Sequence, residues 1–171
     1  MFSIIKIMRV LGIDPGYGIV GFGVIDSERY GSYNVVDYGV INTPKEKSIA
    51  DRITQIYDGM IKLIETFKPD ALAVEELFFN TNITTGIKVA EARGVILLAG
   101  RKNNLPTYEY TPLQIKQALT GQGRAEKTQV QFMVKSILGL SAIPRPDDAA
   151  DALAVAICQL QTNNLLTNNL V

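Results

Sequence analysis

The distribution of apolar and polar positions along the chain predicts five strands and five helices. Short apolar runs bounded by turn residues predict strands at residues 10–13, 19–25, 34–41, 71–74 and 107–110. Apolar residues at helical spacing predict helices at residues 48–67, 84–102, 112–119, 126–138 and 147–160. Three strands therefore come first, then helix, strand, helix, strand, and finally three helices.

This order predicts an α/β fold with a mixed five-stranded sheet flanked by helices. Short links between the first three strands favour an antiparallel meander. The helix at 48–67 is long enough to be a crossover that makes the first and fourth strands parallel. We expect a single domain over residues 1–171, with its core at about 8–160 and a disordered tail at 162–171.

The amino-acid composition argues against several kinds of catalytic chemistry. The chain has no histidine and one cysteine, Cys158, which lies in an apolar run. Histidine acid–base catalysis, thiol catalysis and Cys/His zinc sites are therefore poor candidates, and carboxylates that suit hard cations such as Mg²⁺ remain. The lone cysteine favours a reducing cytoplasm, and the absence of a long apolar stretch predicts no membrane association.

The net charge of zero hides an uneven distribution. Residues 77–145 carry nine basic and three acidic side chains, a net charge of +6. Residues 1–76 carry eight basic and eleven acidic side chains, and residues 146–171 carry three acidic and no basic ones, so each flank is −3. A basic segment between acidic ends suits phosphate binding beside a metal site, although ordinary solvated charges would give the same counts.

Two candidate carboxylates stand at the ends of predicted strands. Asp14 ends the first strand, before Pro15 and Gly16, and Glu75 ends the fourth. Asp14 is also an ordinary turn residue, and Glu75 is also explained as the polar end of a buried strand. If the two strands are parallel neighbours, both side chains emerge at the sheet edge where α/β proteins bind their ligands.

Asp148 and Asp151 stand three residues apart at the start of the last helix, so they share a helical face. Acids in a first turn also complement the helix dipole. Residues 152–158 are wholly apolar, however, so this helix is expected to be buried, with its acids beside other buried groups. Four converging carboxylates would repel one another without cations, which favours two-metal chemistry on a phosphodiester.

Five motifs resemble, in order and spacing, those of the RuvC Holliday junction resolvases. They are GIDPG at 12–16, AVE at 73–75, AEARG at 90–94, AEKTQV at 125–130 and DAADAL at 148–153. The resemblance covers roughly residues 8–160. It implies an RNase H-like fold, a homodimer, and Mg²⁺-dependent nicking of two opposed strands of a four-way DNA junction during recombination and repair, leaving 5′-phosphate and 3′-hydroxyl ends.

The resemblance also assigns roles to residues. It places two Mg²⁺ ions per subunit, with Mn²⁺ able to substitute, on Asp14, Glu75, Asp148 and Asp151. The DNA-binding candidates, from the resemblance and the basic segment together, are Phe78, Phe79, Lys88, Arg93, Lys116, Arg124 and Lys127. Solvated helix charges and core aromatics are the alternatives for these residues. RuvA and RuvB, the branch-migration proteins, are the implied partners.

Small residues recur every four positions in the second helix, at Gly86, Ala90 and Gly94, and form a ridge. The ridge suits either a dimer interface or close packing on the chain's own sheet. Three other functions are compatible with parts of this pattern. A sugar-kinase or actin-like ATPase needs a second domain for which 171 residues leave no room. A nuclease of the same fold acting on structured RNA, and a junction-binding protein without catalysis, stay open.

Overall fold

In the computed structural model of the chain, residues 7–29, 31–77 and 83–162 are described. The strands are β1 (Met8–Asp14), β2 (Ile19–Arg29), β3 (Ser32–Asn42), β4 (Ala71–Glu75) and β5 (Thr107–Tyr110). The helices are α1 (Ile49–Phe67), α2 (Ile83–Lys102), α3 (Pro112–Thr120), α4 (Lys127–Ile137) and α5 (Asp147–Thr162). None of these helices is long and apolar enough to cross a bilayer. The tail expected at 162–171 lies, except for Thr162, outside the described residues.

The five strands form a mixed sheet in the order β3-β2-β1-β4-β5. β1, β2 and β3 pair as the expected antiparallel meander, whereas β4 is parallel to both β1 and β5. Ile13 pairs with Val74, so the next residues, Asp14 and Glu75, leave their strands at the same edge. We call this the carboxyl edge of the sheet. The predicted fold class and the crossover through α1 are confirmed.

Helices α1 and α2 cover one face of the sheet. α1 begins at Ser48, whose hydroxyl accepts a hydrogen bond from the backbone N–H of Asp51 and so satisfies a helix-end donor. The inward side of α1 carries Ile56, Met60 and Ile64, which pack with buried side chains of β1, β4 and α2. Because α1 connects β3 to β4, its first turn lies at the carboxyl edge.

Helix α5 covers the opposite face and lies unusually close to β1 and β2. A Cβ atom added at Gly12 would lie 2.3 Å from the carbonyl oxygen of Ala152, and one added at Gly21 would lie 2.0 Å from that of Asp148. Side chains at these two strand positions would collide with the helix backbone. The glycines therefore allow the acidic first turn of α5 to lie directly over the ends of the strands that lead to and from Asp14.

We expect Gly12→Ala to lower the free energy of unfolding by about 1–3 kcal/mol, because the methyl group overpacks a contact that the helix backbone cannot vacate. Gly123→Ala is the matched control. Its Cβ would lie 3.0 Å from Cγ of Leu113, an exposed side chain that can move away, so we expect a change within about 0.5 kcal/mol. Urea unfolding of both variants measures the difference, and equal stabilities would contradict the close packing of α5.

Candidate active site

The carboxyl groups of Asp14 and Glu75 lie close enough at the carboxyl edge for each to affect the pKa of the other. Both residues are partly buried. Burial, followed by the charges of Glu75, Asp151 and Asp148, raises the pKa of Asp14 to about 9. Burial also raises the pKa of Glu75. The ionised form of Asp14 is therefore disfavoured in these surroundings.

The first turns of α5 bring Asp151 to the same place. Its carboxylate accepts a hydrogen bond of 2.8 Å from Nζ of Lys127, which also lies 3.6 Å from Asp147. Burial raises the pKa of Asp151 although Lys127 opposes the shift. Asp148 is close enough for its charge to raise the pKa of both Asp14 and Asp151.

A cleft of about 300 Å³ opens over these acids. It is lined by Asp14, Glu75, Pro112, Ile115, Lys116, Lys127, Val130, Asp151 and Ala154. Asp148 is not part of the lining, so the structure brings three of the four predicted acids into one cleft and places the fourth beside it. Lys116 and Lys127 add positive charge, which opposes the rise in the pKa of Glu75.

The donors in the cleft suit a hard divalent cation. They are carboxylate oxygens without histidine or thiolate, the ligand type that Mg²⁺ prefers. Burial, and after it the repulsion between the acids, raises the pKa of Asp14, and a cation would remove this electrostatic cost. Within the described ranges, however, no three acidic, histidine or cysteine side chains are grouped closely enough to hold a metal ion. The donor chemistry therefore fits, and binding requires the acids to draw together.

The predicted DNA-binding residues fall into different surroundings. Lys116 and Lys127 lie in the cleft with the acids, and Arg124 is exposed in the loop between α3 and α4. Phe78 and Phe79 lie outside the described residues. These two aromatic predictions therefore stay predictions.

Lys88 and Arg93, both on α2, differ from each other. Lys88 is exposed, and its Nζ lies 5.5 Å from the centre of the Tyr17 ring. Arg93 is paired with Glu109 of β5, and both side chains are only about one-fifth exposed. This partner gives Arg93 a role in holding α2 against the sheet, and DNA binding by Arg93 stays a prediction.

Sequence reasoning missed a second polar group at the carboxyl edge. Arg52, in the first turn of α1, is 8% exposed and contacts Thr43 and the Tyr17 ring. A signal for it was present, because Arg52 lies four residues before Ile56 and so continues the buried stripe of α1. A cation on an apolar stripe indicates a buried polar contact.

Comparisons with known proteins agree on one family. The sequence model of the family described as crossover junction endodeoxyribonuclease RuvC matches residues 10–159. A RuvC from Caldicellulosiruptor saccharolyticus is 52% identical over 157 residues, which is 92% of this chain and 95% of that protein. A RuvC from Petrotoga mobilis is 56% identical over 151 residues, 88% of this chain and 92% of that protein.

Solved structures give the same result. Thermus thermophilus RuvC in complex with a Holliday junction substrate superposes with a TM-score of 0.89 at 36% identity, covering 95% of this chain and 98% of that one. The yeast mitochondrial Holliday junction resolvase Ydc2 has a TM-score of 0.64 at 17% identity, over 90% of this chain and 79% of that one. The second match, at this low identity, shows the fold alone.

We expect Asp14→Asn to stabilise the protein in the presence of a metal chelator, by on the order of 1–3 kcal/mol at pH 8. The pKa of Asp14 is raised to about 9 in the folded state, so the stability linked to its protonation is complete at low pH and is lost as the pH rises from about 4 towards 9. The asparagine variant does not undergo this loss.

Thermal unfolding at pH 5 and pH 8 provides the measurement, with Asp58→Asn, an exposed acid on α1, as the control that leaves the pH dependence unchanged. A gain in Asp14→Asn that is the same at both pH values would show that the Asp14 carboxyl is not under repulsion.

Proposed function

Because the chain belongs to the RuvC family of crossover junction endodeoxyribonucleases, we propose that it resolves four-way DNA junctions by cutting two opposed strands through a metal-dependent hydrolysis. The observation that supports this most directly is the convergence of Asp14, Glu75 and Asp151 with two lysines in one cleft. A relative of the same fold, T. thermophilus RuvC, is known in complex with a Holliday junction.

The proposed cofactor is Mg²⁺, with two ions per subunit and Mn²⁺ able to substitute. Asp14, Glu75, Asp148 and Asp151 would hold them, since these acids supply only oxygen ligands. When bound, the ions supply Lewis-acid activation of the attacking water and stabilisation of the leaving oxygen. Asp148 takes part in this set by its charge and its place in the first turn of α5, beside the cleft.

The side chains of the protein bind the DNA and orient it in the cleft. Lys116 and Lys127 attract the phosphate backbone to the cleft, and Lys127 is already held in place by Asp151. A water oxygen then forms a bond to phosphorus and loses a proton to solvent. The bond from phosphorus to the 3′-oxygen of the neighbouring nucleotide breaks, and this oxygen takes up a proton from solvent. This gives the 5′-phosphate and 3′-hydroxyl ends of the proposed reaction.

The working unit is proposed to be a homodimer that pairs through α2. Exposed residues at helical spacing form an apolar stripe on this helix, at Ile83, Ile87, Ala90, Gly94 and Leu98. The opposite side of α2, with Ala92, Ile96 and Ala99, is the side that packs on the sheet. Of the two explanations for the small residues, the exposed stripe therefore favours a partner surface over packing within the chain.

A two-fold dimer would match the approximate two-fold symmetry of a four-way junction. Two equivalent sites would then cut opposed strands within one binding event. The branch-migration proteins RuvA and RuvB are proposed partners on the family resemblance.

We expect Asp14→Asn, Glu75→Gln, Asp148→Asn and Asp151→Asn each to slow cleavage of a synthetic four-way junction by on the order of 100-fold or more, with junction binding retained. The reason is that each change removes a proposed metal ligand. Gel assays with and without Mg²⁺, with Asp58→Asn as control and a structured RNA as competing substrate, provide the measurement. A variant of the four that cuts at the wild-type rate would remove its residue from the ligand set.

We expect Ala90→Trp to weaken the dimer at least tenfold and to leave single nicks on cruciform DNA, because the indole cannot fit a close helix contact. Sedimentation measures the dimer, and Thr54→Trp on the exposed surface of α1 is a control of equal bulk. If Ala90→Trp stays dimeric and cuts both strands, the interface lies elsewhere. A wild type that is monomeric with and without DNA would contradict the dimer itself.

A further inference from the structure

Arg52 is a buried cation next to the carboxyl edge of the sheet. It is 8% exposed and belongs to the first turn of α1, on the side that faces the sheet. Removing a guanidinium from water is unfavourable unless a partner compensates its charge. The contacts of Arg52 therefore indicate which role the buried cation has.

The guanidinium lies against the loop that follows Asp14. Its Nε donates a hydrogen bond of 2.9 Å to Oγ1 of Thr43, and this hydroxyl donates one of 2.6 Å to the carbonyl oxygen of Tyr17. Its Cζ atom lies 4.5 Å from the centre of the Tyr17 ring. A Cβ atom added at Gly18 would lie 3.0 Å from Nη2 of Arg52, so the guanidinium lies directly against the backbone of this loop.

Among the described residues, these contacts do not pair Arg52 with an acid. The other two arginines that are partly or fully buried each have one, since Arg9 lies 2.7 Å from Asp26 and Arg93 pairs with Glu109. Within residues 7–29, 31–77 and 83–162, no carboxylate forms an ion pair with Arg52. A buried cation that contacts a hydroxyl and an aromatic ring can form a charge-assisted hydrogen bond with an incoming anion.

A second cation is placed at the same ring. Nζ of Lys88, on α2, lies 5.5 Å from the centre of the Tyr17 ring, and Lys88 is exposed. Two cations from different helices therefore meet at one side chain, three residues after Asp14. An incoming anion would contact Lys88 from solvent and Arg52 from within.

We propose that Arg52 and Lys88 form a phosphate-binding subsite around Tyr17, which holds a DNA backbone phosphate flanking the one that is cut. The subsite rests on the proposed function, because junction DNA is the source of the phosphate. It differs from Lys116 and Lys127, which lie with the acids on the α5 side of the sheet, whereas Arg52 and Lys88 belong to the helices of the other side. The cut strand would thus be held on both sides of Asp14.

A purely structural role for Arg52, as a brace for the loop through Thr43, is the competing explanation. The two roles differ in the salt dependence of binding. One lost phosphate contact lowers the slope of log affinity against log salt by about 0.9, which corresponds to roughly tenfold weaker binding at 0.1 M salt. Loss of a brace would lower stability without changing this slope.

The experiment measures binding of a synthetic junction, without divalent metal, from 50 to 300 mM KCl. We expect Arg52→Gln and Lys88→Gln each to lower the slope by about 0.9, and Arg52→Lys to keep it. Arg9→Gln is the matched control, because Arg9 already has a carboxylate partner at the opposite end of β1. Its slope should equal that of the wild type.

A scan of the junction with single neutral methylphosphonates then locates the contact. We expect one position near the cut to weaken wild-type binding and to have no further effect in Arg52→Gln or Lys88→Gln. Unchanged slopes and an unchanged scan in these variants would overturn the subsite. Should Arg52→Gln fail to fold, the exposed Lys88→Gln decides alone. Failure of the wild type to bind junctions would instead contradict the proposed function.

Discussion

The close approach of α5 to β1 and β2 is the constraint on which the site depends. Gly12 and Gly21 leave the helix backbone at van der Waals distance from the strands, where a single methyl group would collide with it. The apolar, alanine-rich run behind Asp151 accepts this burial, since small side chains fill the narrow space between helix and sheet. Packing thus sets the separation between the acids of α5 and Asp14, and the chemistry follows from that separation.

Holding acids so close has an electrostatic consequence. Burial and like charge together raise the pKa of Asp14 and oppose full ionisation of the cluster. Lys127 partly compensates for the negative charge through its ion pair with Asp151. A bound cation would relieve this repulsion, and the oxygen-only donor set is consistent with the metal dependence of the family to which the chain belongs.

Features that depend on residues close together in the sequence could be predicted, whereas contacts between distant segments could not. Strand ends and helix stripes are local, so the fold class and the positions of Asp14 and Glu75 at one edge were predictable. β2 and β3 proved longer than their apolar runs because hairpin pairing extends through Ser27 and Arg29. The partners of Arg93 and Arg52 depend on how α2 and α1 lie on the sheet. No spacing along the chain reveals Glu109 or Thr43 as their contacts.

The parallel arrangement of β3, β4 and β5 also orients the helices. Each of these strands ends at the carboxyl edge and is followed by a helix that starts there, and α5 begins beside Gly21 at the same edge. The positive ends of four helix macrodipoles, each worth about half an elementary charge, are therefore collected on one rim of the molecule. These helix ends add positive potential beside the acids without using any side chain, and a phosphate group that met them would be stabilised by the same dipoles.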